Sequence, residues 1–263
     1  MRIITWNLNN RKSNSIAWEL IFELKPDLVL LSEVNHIPED LRGYDSHFEP
    51  AMGNKGNFRK FKTSLLCKGK IGPSFDLVAK EDWVTKAIAD HPGNYVCRKI
   101  CLDSGNLYNV ISVHMPSWQF PHEKYTEDIS DVALPNYPKV FMSELLWAAL
   151  KTSLSLHDDP WIIGGDFKTS EFIGSTKTQR AANVEAIARL ERLGLIETVR
   201  HWNNGPVPSW KPIRKNAAMK HQLDHLYVSK DLLPVMSNAR MGEKEQVLEN
   251  GLSDHLPIIA DFD

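Results

Sequence analysis

Little in this sequence speaks for a membrane-bound or exported protein. No window approaches 18 consecutive apolar residues, so a spanning helix is excluded. The opening MRIITWNLNN has one arginine and a short apolar stretch that runs straight into asparagines. It lacks the apolar length and small-residue cleavage site of a signal peptide, and the reading is a cytoplasmic protein with no membrane partner. Cysteine is scarce: Cys67, Cys97 and Cys101. YVCRKICL reads as a strand, which would separate Cys97 from Cys101 by about 13 Å, beyond disulfide reach. No CxxC spacing exists for a metal, and buried free thiols in a reducing compartment are expected. A charge surplus is missing too. The 31 Lys+Arg against 33 Asp+Glu leave a net charge of −2, whereas a non-specific duplex binder carries a basic excess. A pure DNA-binding role is disfavoured. An enzyme that meets nucleic acid through a local patch and metal ions is not.

What is present is a globular composition, 42% hydrophobic and 24% charged, which excludes collagen-like or disordered chains. The 263 residues suit one large α/β domain or two small ones, and the absence of repeats or a linker favours a single domain over 1–263. Strands and helices alternate. RIITWN opens as a strand; Ser13 or Ser15 is placed to cap a helix with Ile16, Ala17, Leu20, Ile21 and Leu24 on its apolar face, stopped by Pro26. DLVLLSE is a continuous apolar run, as expected of a strand buried on both faces. TSLLCKG, YVCRKICL and LYNVISVH follow, the last two joined by an Asp-Ser-Gly-Asn turn. A helix from about Val140 presents Met142, Leu145, Leu146 and Ala149. PWIIGGD reads as a buried strand broken at its glycines. A helix over 178–193 carries Val184, Ile187, Leu190 and Leu193, with Gly194 as C-cap. QLDHLYVS, a segment near 236–241 and HLPIIADF close the chain as strands. Residues 115–138, rich in proline, aromatics and acids, show no period; they are either functional or an irregular cover over the core.

Several strands end in a polar residue that a plain core does not require: Asn7, Glu33, His114, Asp166, Asp224 and the pair Asp254-His255. Loops at strand ends gather side chains from many strands. Carboxylate oxygens suit a hard cation, Mg²⁺ or Mn²⁺, and histidines beside it serve as acid, base or transition-state donor. Together they are groups for hydrolysing a phosphate ester. A single aspartate at a strand end is ordinarily a turn former and a single histidine a hydrogen-bonded rim residue, so the information lies in their joint occurrence.

Their order and contexts resemble the endonuclease/exonuclease/phosphatase superfamily, the DNase I-like fold, along essentially the whole chain. IITWNLN resembles its first strand, PDLVLLSEV its second, VISVHMPS the strand whose histidine meets the scissile phosphate, WIIGGDFK its Gly-Asp-Phe-Asn motif, HQLDHLYVS the strand whose aspartate orients the final histidine, and LSDHLPI its closing Ser-Asp-His-x-Pro motif. The resemblance implies an α/β fold of two mixed β-sheets packed face to face with flanking helices, and a divalent-metal-dependent phosphodiesterase, in particular a nuclease on DNA or RNA. It implies metal-site roles for Asn7, Glu33 and Asp254. It implies catalytic roles for His114, Asp166, Asp224 and His255: Asp166 orienting water, His114 donating to a non-bridging oxygen, and His255, oriented by Asp224, as base or charge stabiliser. The AP endonuclease branch usually has tyrosine at the His114 position, so the resemblance leans to the DNase I, sphingomyelinase and phosphatase side.

One position departs from the pattern: Lys168 stands where the motif has asparagine. A lysine there binds phosphate, pairs with Asp166 and weakens it as a base, repels a nearby metal, or points to solvent. This motivates a further alternative, a catalytically impaired phosphate-binding relative, beside a phosphatase for a small or lipid phosphate. Lys55, Arg59, Lys60 and Lys62, interleaved with Phe58 and Phe61, form either a track for a nucleic-acid backbone or a solvated loop. Trp118 and Trp210 either stack on a base or pack within their loops. His225 alternates away from Asp224 and reads as structural.

Overall fold

The computed structural model describes residues 1–11, 15–53, 55–212 and 218–263. Its strands are β1 (Arg2–Asn7), β2 (Leu28–Val34), β3 (Asp45–Met52), β4 (Phe58–Cys67), β5 (Gly69–Ser74), β6 (Tyr95–Leu102), β7 (Leu107–His114), β8 (Trp161–Asp166), β9 (Leu195–Glu197), β10 (Asp224–Ser229), β11 (Met236–Met241) and β12 (Ile258–Phe262). The helices are α1 (Ser15–Glu23), α2 (Asp82–Ala89), α3 (Met142–Ser153), α4 (Lys177–Arg192) and α5 (Thr198–Trp202). Two six-stranded mixed sheets result, ordered β11-β12-β1-β2-β4-β3 and β5-β6-β7-β8-β10-β9. Among the described residues no helix is long and apolar enough to cross a membrane.

The two sheets repeat one pattern. β1 runs parallel to β2 and antiparallel to β12, while β2 pairs antiparallel with β4. Likewise β8 runs parallel to β7 and antiparallel to β10, while β7 pairs antiparallel with β6. Each parallel pair is buried on both faces, which is why its strands read as near-continuous apolar runs. Ile4, Leu30, Val110, Ile162 and Leu226 lie in the core between the sheets, and Leu145, Leu146 and Ala149 of α3 pack on the outer face of the second sheet with Ile111 and Ile163.

Several local expectations are corrected. β8 continues through Gly164 and Gly165 to Asp166 rather than breaking; Gly165 is required because a side chain there would lie 2.0 Å from the Val113 carbonyl. In α1 the buried residues are Ala17, Trp18, Ile21 and Phe22, which pack on the core, and Ile16 faces solvent. Ser15 is the first helical residue and not the cap; Ser13 lies outside the described residues. In α4 the buried face is Ala182, Ala186, Ile187, Arg189 and Leu190, leaving Val184 exposed, and the helix begins at a Thr176 cap whose oxygen accepts from the Gln179 N–H. Gly194 ends it in the left-handed region, φ +89. His255 lies before β12 rather than in it. Cys67 is buried, but Cys97 and Cys101 are only half-buried; all three are free thiols.

Candidate active site

Asn7, Glu33, His114 and Asp166 all sit at the C-terminal ends of the two parallel strand pairs. β1 and β2 deliver Asn7 and Glu33, and His114 of β7 is directly paired with Asp166 of β8. Antiparallel β10 enters from the other side and pairs Asp224 with Asp166. Glu33 adopts φ +54 at an irregularity in the β2–β4 pairing. That left-handed turn at the strand end is a costly conformation for a glutamate.

Asn7 Nδ2 donates to Asp166 Oδ2 at 2.7 Å and to Glu33 Oε1 at 3.0 Å, while its Oδ1 accepts from the Asn9 N–H. The asparagine thus bridges the two carboxylates through its amide N–H groups. Lys168 Nζ forms an ion pair with Asp166 Oδ2 and lies 3.8 Å from Glu33 Oε1. Lys168 is itself left-handed, φ +52, and its backbone N–H donates to Asp166 Oδ1 at 3.1 Å. Asparagine tolerates that backbone region better than lysine does. Burial would push the Asp166 carboxyl up, but Lys168, with His255 and His114, outweighs this and holds it well below the usual range.

On the opposite side His255 Nδ1 meets Asp224 Oδ2 at 2.7 Å, and Ser209 Oγ donates to the same oxygen at 2.6 Å. Burial opposes the imidazolium, yet Asp224 and Asp166 raise His255 to about 9. The Asp224 carboxyl moves the other way from Asp166: its burial outweighs the pull of His255 and raises it. Ser253 Oγ donates to the Asn7 carbonyl at 2.6 Å and accepts from the His255 N–H at 3.1 Å. The closing serine therefore ties the last motif to the end of β1. His114 is buried, its Nδ1 has no partner, and Phe61 packs edge-on against it at 4.9 Å. Burial lowers its pKa against the raising effect of Glu33 and Asp166.

Among the described residues, two sets of ligand atoms each lie within 4.8 Å of one another: Glu33, His114 and Asp166 form one, and Asp166, Asp224 and His255 the other. The second is a hydrogen-bonded Asp–His couple. The first has two hard oxygen donors and an imidazole nitrogen, a set that fits Mg²⁺ or Mn²⁺ in kind. Asp254 stands apart from both groups; its Oδ2 accepts from Trp210 Nε1 at 3.1 Å.

A cavity of about 650 Å³ opens from these residues. Glu33, Lys168, Trp210, Asp254 and His255 line its polar end, and Leu134, Tyr137, Phe141 and Ile173 its apolar end. The aperiodic 115–138 segment both borders the cavity and covers the core. Met115, Ser117, Leu134 and Tyr137 line the cavity, while Phe120 and Val132 fill the core. Arg189 of α4 fastens the segment by donating to the Val132 and Ala133 carbonyls at 2.7 and 2.9 Å.

The profile of the Endonuclease/Exonuclease/phosphatase family matches residues 4–255. The chain belongs to that family. Membership places it among hydrolases of phosphoesters. A search of curated proteins finds no match. Among solved structures, an AP endonuclease from Archaeoglobus fulgidus superimposes with a TM-score of 0.69 at 15% identity, covering 100% of this chain and 99% of that one. The 3'-5' exonuclease NExo from Neisseria meningitidis gives 0.64 at 17%, covering both chains completely at 100%. A family protein from Leptotrichia buccalis gives 0.63 at 18%, covering 100% and 99%. At these identities the likeness is one of fold, and it agrees with the two-sheet architecture expected from the motifs.

For this family member, Asn7, Glu33, His114, Asp166, Lys168, Asp224 and His255 are brought together, and Trp210 and Asp254 form the cavity rim beside them. Trp118 instead packs near His91. His225 is buried, with Nε2 donating to the Thr169 carbonyl at 2.9 Å, as its alternation implies. Of the basic stretch, Lys55 lies in a turn, while Phe58 to Lys62 belong to β4, where Arg59 and Lys60 are exposed and Phe61 turns inward to His114. Sequence reasoning missed Ser209, whose oxygen also accepts from the Leu223 and Asp224 N–H groups. Nothing in PVPSW distinguishes it from an ordinary loop serine.

Proposed function

We propose that this protein is a divalent-metal-dependent phosphodiesterase that cleaves nucleic acid. One observation carries the reading: Glu33, His114 and Asp166 from both sheets converge beside an Asp224–His255 couple at one end of the sandwich. A bound Mg²⁺ or Mn²⁺ would be held by Glu33 and Asp166 with His114 beside them, and would supply charge neutralisation at the phosphate. Asp166, positioned by Asn7 and the Lys168 N–H, orients the attacking water; its depressed basicity makes it a positioning group more than a strong base. His255 uses Nδ1 for Asp224, which leaves Nε2 for the substrate, and as an imidazolium it stabilises charge building on the phosphate. His114, whose neutral form burial favours, donates to a non-bridging oxygen. Nucleic acid as substrate is supported by the exposed Arg59 and Lys60 on β4, the strand that also carries Phe61 to the site. Among structural relatives, the 3' phosphatase NExo from Neisseria is bound to a product DNA hairpin.

A second reading has its own support. The apolar cavity end of Leu134, Tyr137, Phe141 and Ile173 suits a small or lipid phosphate ester with one apolar substituent. A third, an impaired phosphate-binding relative, follows from the ion pair of Lys168 with Asp166. The deciding experiment is hydrolysis of single- and double-stranded DNA, RNA and bis-p-nitrophenyl phosphate under Mg²⁺ and Mn²⁺. EDTA and an Asp166→Ala, His255→Ala double variant are the controls. Metal-dependent cleavage of a polymer, lost in the variant, supports the nuclease. Turnover of the small ester alone moves the assignment to the second reading. Silence from the native chain with a large gain in Lys168→Asn supports the third.

A further inference from the structure

Lys168 places an ammonium against the same two carboxylates that would hold the metal. Its Nζ pairs with Asp166 Oδ2 and lies 3.8 Å from Glu33 Oε1, and its side chain is 23% exposed. The backbone N–H of Lys168, a residue that is itself in the left-handed region, donates to the other oxygen of Asp166. Asn7 already donates to both carboxylates from β1. The carboxylate pair is therefore partly charge-compensated by one ammonium and hydrogen-bonded by the chain's own groups. A divalent ion and an ammonium that need the same two oxygens repel each other strongly where water is scarce.

We infer that Lys168 is an internal counter-cation that competes with the divalent ion for Glu33 and Asp166. Glu33 and Asp166 would hold a divalent ion only with Nζ displaced, and without the ion the ammonium pairs with both acids. The inference deepens the proposed metal-dependent reading, on which it rests, by naming what regulates occupancy of that site. It sets the free metal concentration at which the site fills above that of the same site with asparagine at this position.

The test is Mn²⁺ binding to the full chain, followed by the paramagnetic resonance of free Mn²⁺ and by calorimetry. Lys168→Asn and Lys168→Met are expected to bind one Mn²⁺ at least about tenfold more tightly than the native chain, with Lys168→Arg remaining weak. Equal affinity in all four proteins overturns the inference. A second measurement needs no variant: amine acylation of native Lys168, read by peptide mass spectrometry, is expected to speed up when Mn²⁺ is added. Unchanged or slower labelling at saturating Mn²⁺ overturns the inference even where the variants fail to fold. Tighter Mn²⁺ binding in variants that hydrolyse nothing leaves this inference standing and defeats the hydrolase reading. Metal-dependent hydrolysis with unchanged affinity does the reverse.

Discussion

Asp166 and Asp224 are paired across adjacent antiparallel strands, both almost wholly buried, yet their carboxyls are shifted in opposite directions. The difference is the partner. Asp166 has an ammonium and an asparagine amide on one oxygen and a backbone N–H on the other. Asp224 loads Oδ2 with His255 and Ser209 and leaves Oδ1 buried without a partner. Burial raises both; only on the lysine side is enough positive charge supplied to reverse it. The comparison teaches that one kind of group, on neighbouring strands, is held toward its anionic form on one side and is hydrogen-bonded to a histidine with its carboxyl raised on the other.

The contrast can be broken most severely at Asp166. Asp166→Ala is expected to lower kcat by about 10³–10⁴-fold on whichever ester is turned over, measured at saturating metal. Next is Lys168→Met, which strips the ammonium from buried Asp166 and half-buried Glu33. In EDTA it is expected to destabilise the fold by about 2–4 kcal/mol, read from urea unfolding. His255 sharpens the comparison through pH. Its folded pKa of about 9 exceeds its usual value of 6.5, so its contribution is fully present below 6.5 and lost as pH rises through 9. In metal-free protein His255→Asn should flatten a decline on the order of 2–3 kcal/mol across that window. Asp166 has the opposite sign: its contribution is present above the ordinary aspartate value and lost as pH falls through its depressed one.

A third buried acid extends the series. Glu144 accepts from the Phe141 N–H and from Ser143 Oγ, both at 2.6 Å, with Arg189 as a counter-charge. Burial pushes it up from 4.5 to about 7, so stability falls as pH rises through that interval. Glu144→Gln is expected to remove this slope and to leave the protein about 1–2 kcal/mol more stable at pH 8, checked by chemical denaturation at several pH values. The smallest effect is Trp210→Phe, which removes one half-buried hydrogen bond to Asp254. A loss of about 1 kcal/mol is expected, and a rise in KM at unchanged kcat would place Trp210 on the substrate side of the rim.

Most of this site was legible because its residues sit where local sequence has a strict meaning. A short apolar run with β-branched residues, stopping at Asn7, Glu33, His114 or Asp166, reads as a buried strand reaching its end, and β6, β7 and β11 begin and end where their patterns do. Elements on the rim of the fold were not readable in this way. β3 is half-buried nearly throughout, so it shows no clean alternation. β5 contains two glycines and a proline, and its edge position alone makes them tolerable. In α1 and α4 the period was readable but the buried face was not, since neighbours in space choose it.

The amino-acid sequence by itself determined the alternating elements, the strand-end acids and histidines, and the asparagine-to-lysine departure at position 168, because each depends on near neighbours in the chain. Only the tertiary structure decided what those groups are to one another. It turned Asn7 into an amide bridge between acids and loaded Asp224 with Ser209. It lined a cavity with the aperiodic segment and set the Lys168 ammonium on the oxygens of Glu33 and Asp166. Charge and hydrogen bonding act through distance in space, and Glu33 and Lys168 become neighbours only when the two sheets close on one another.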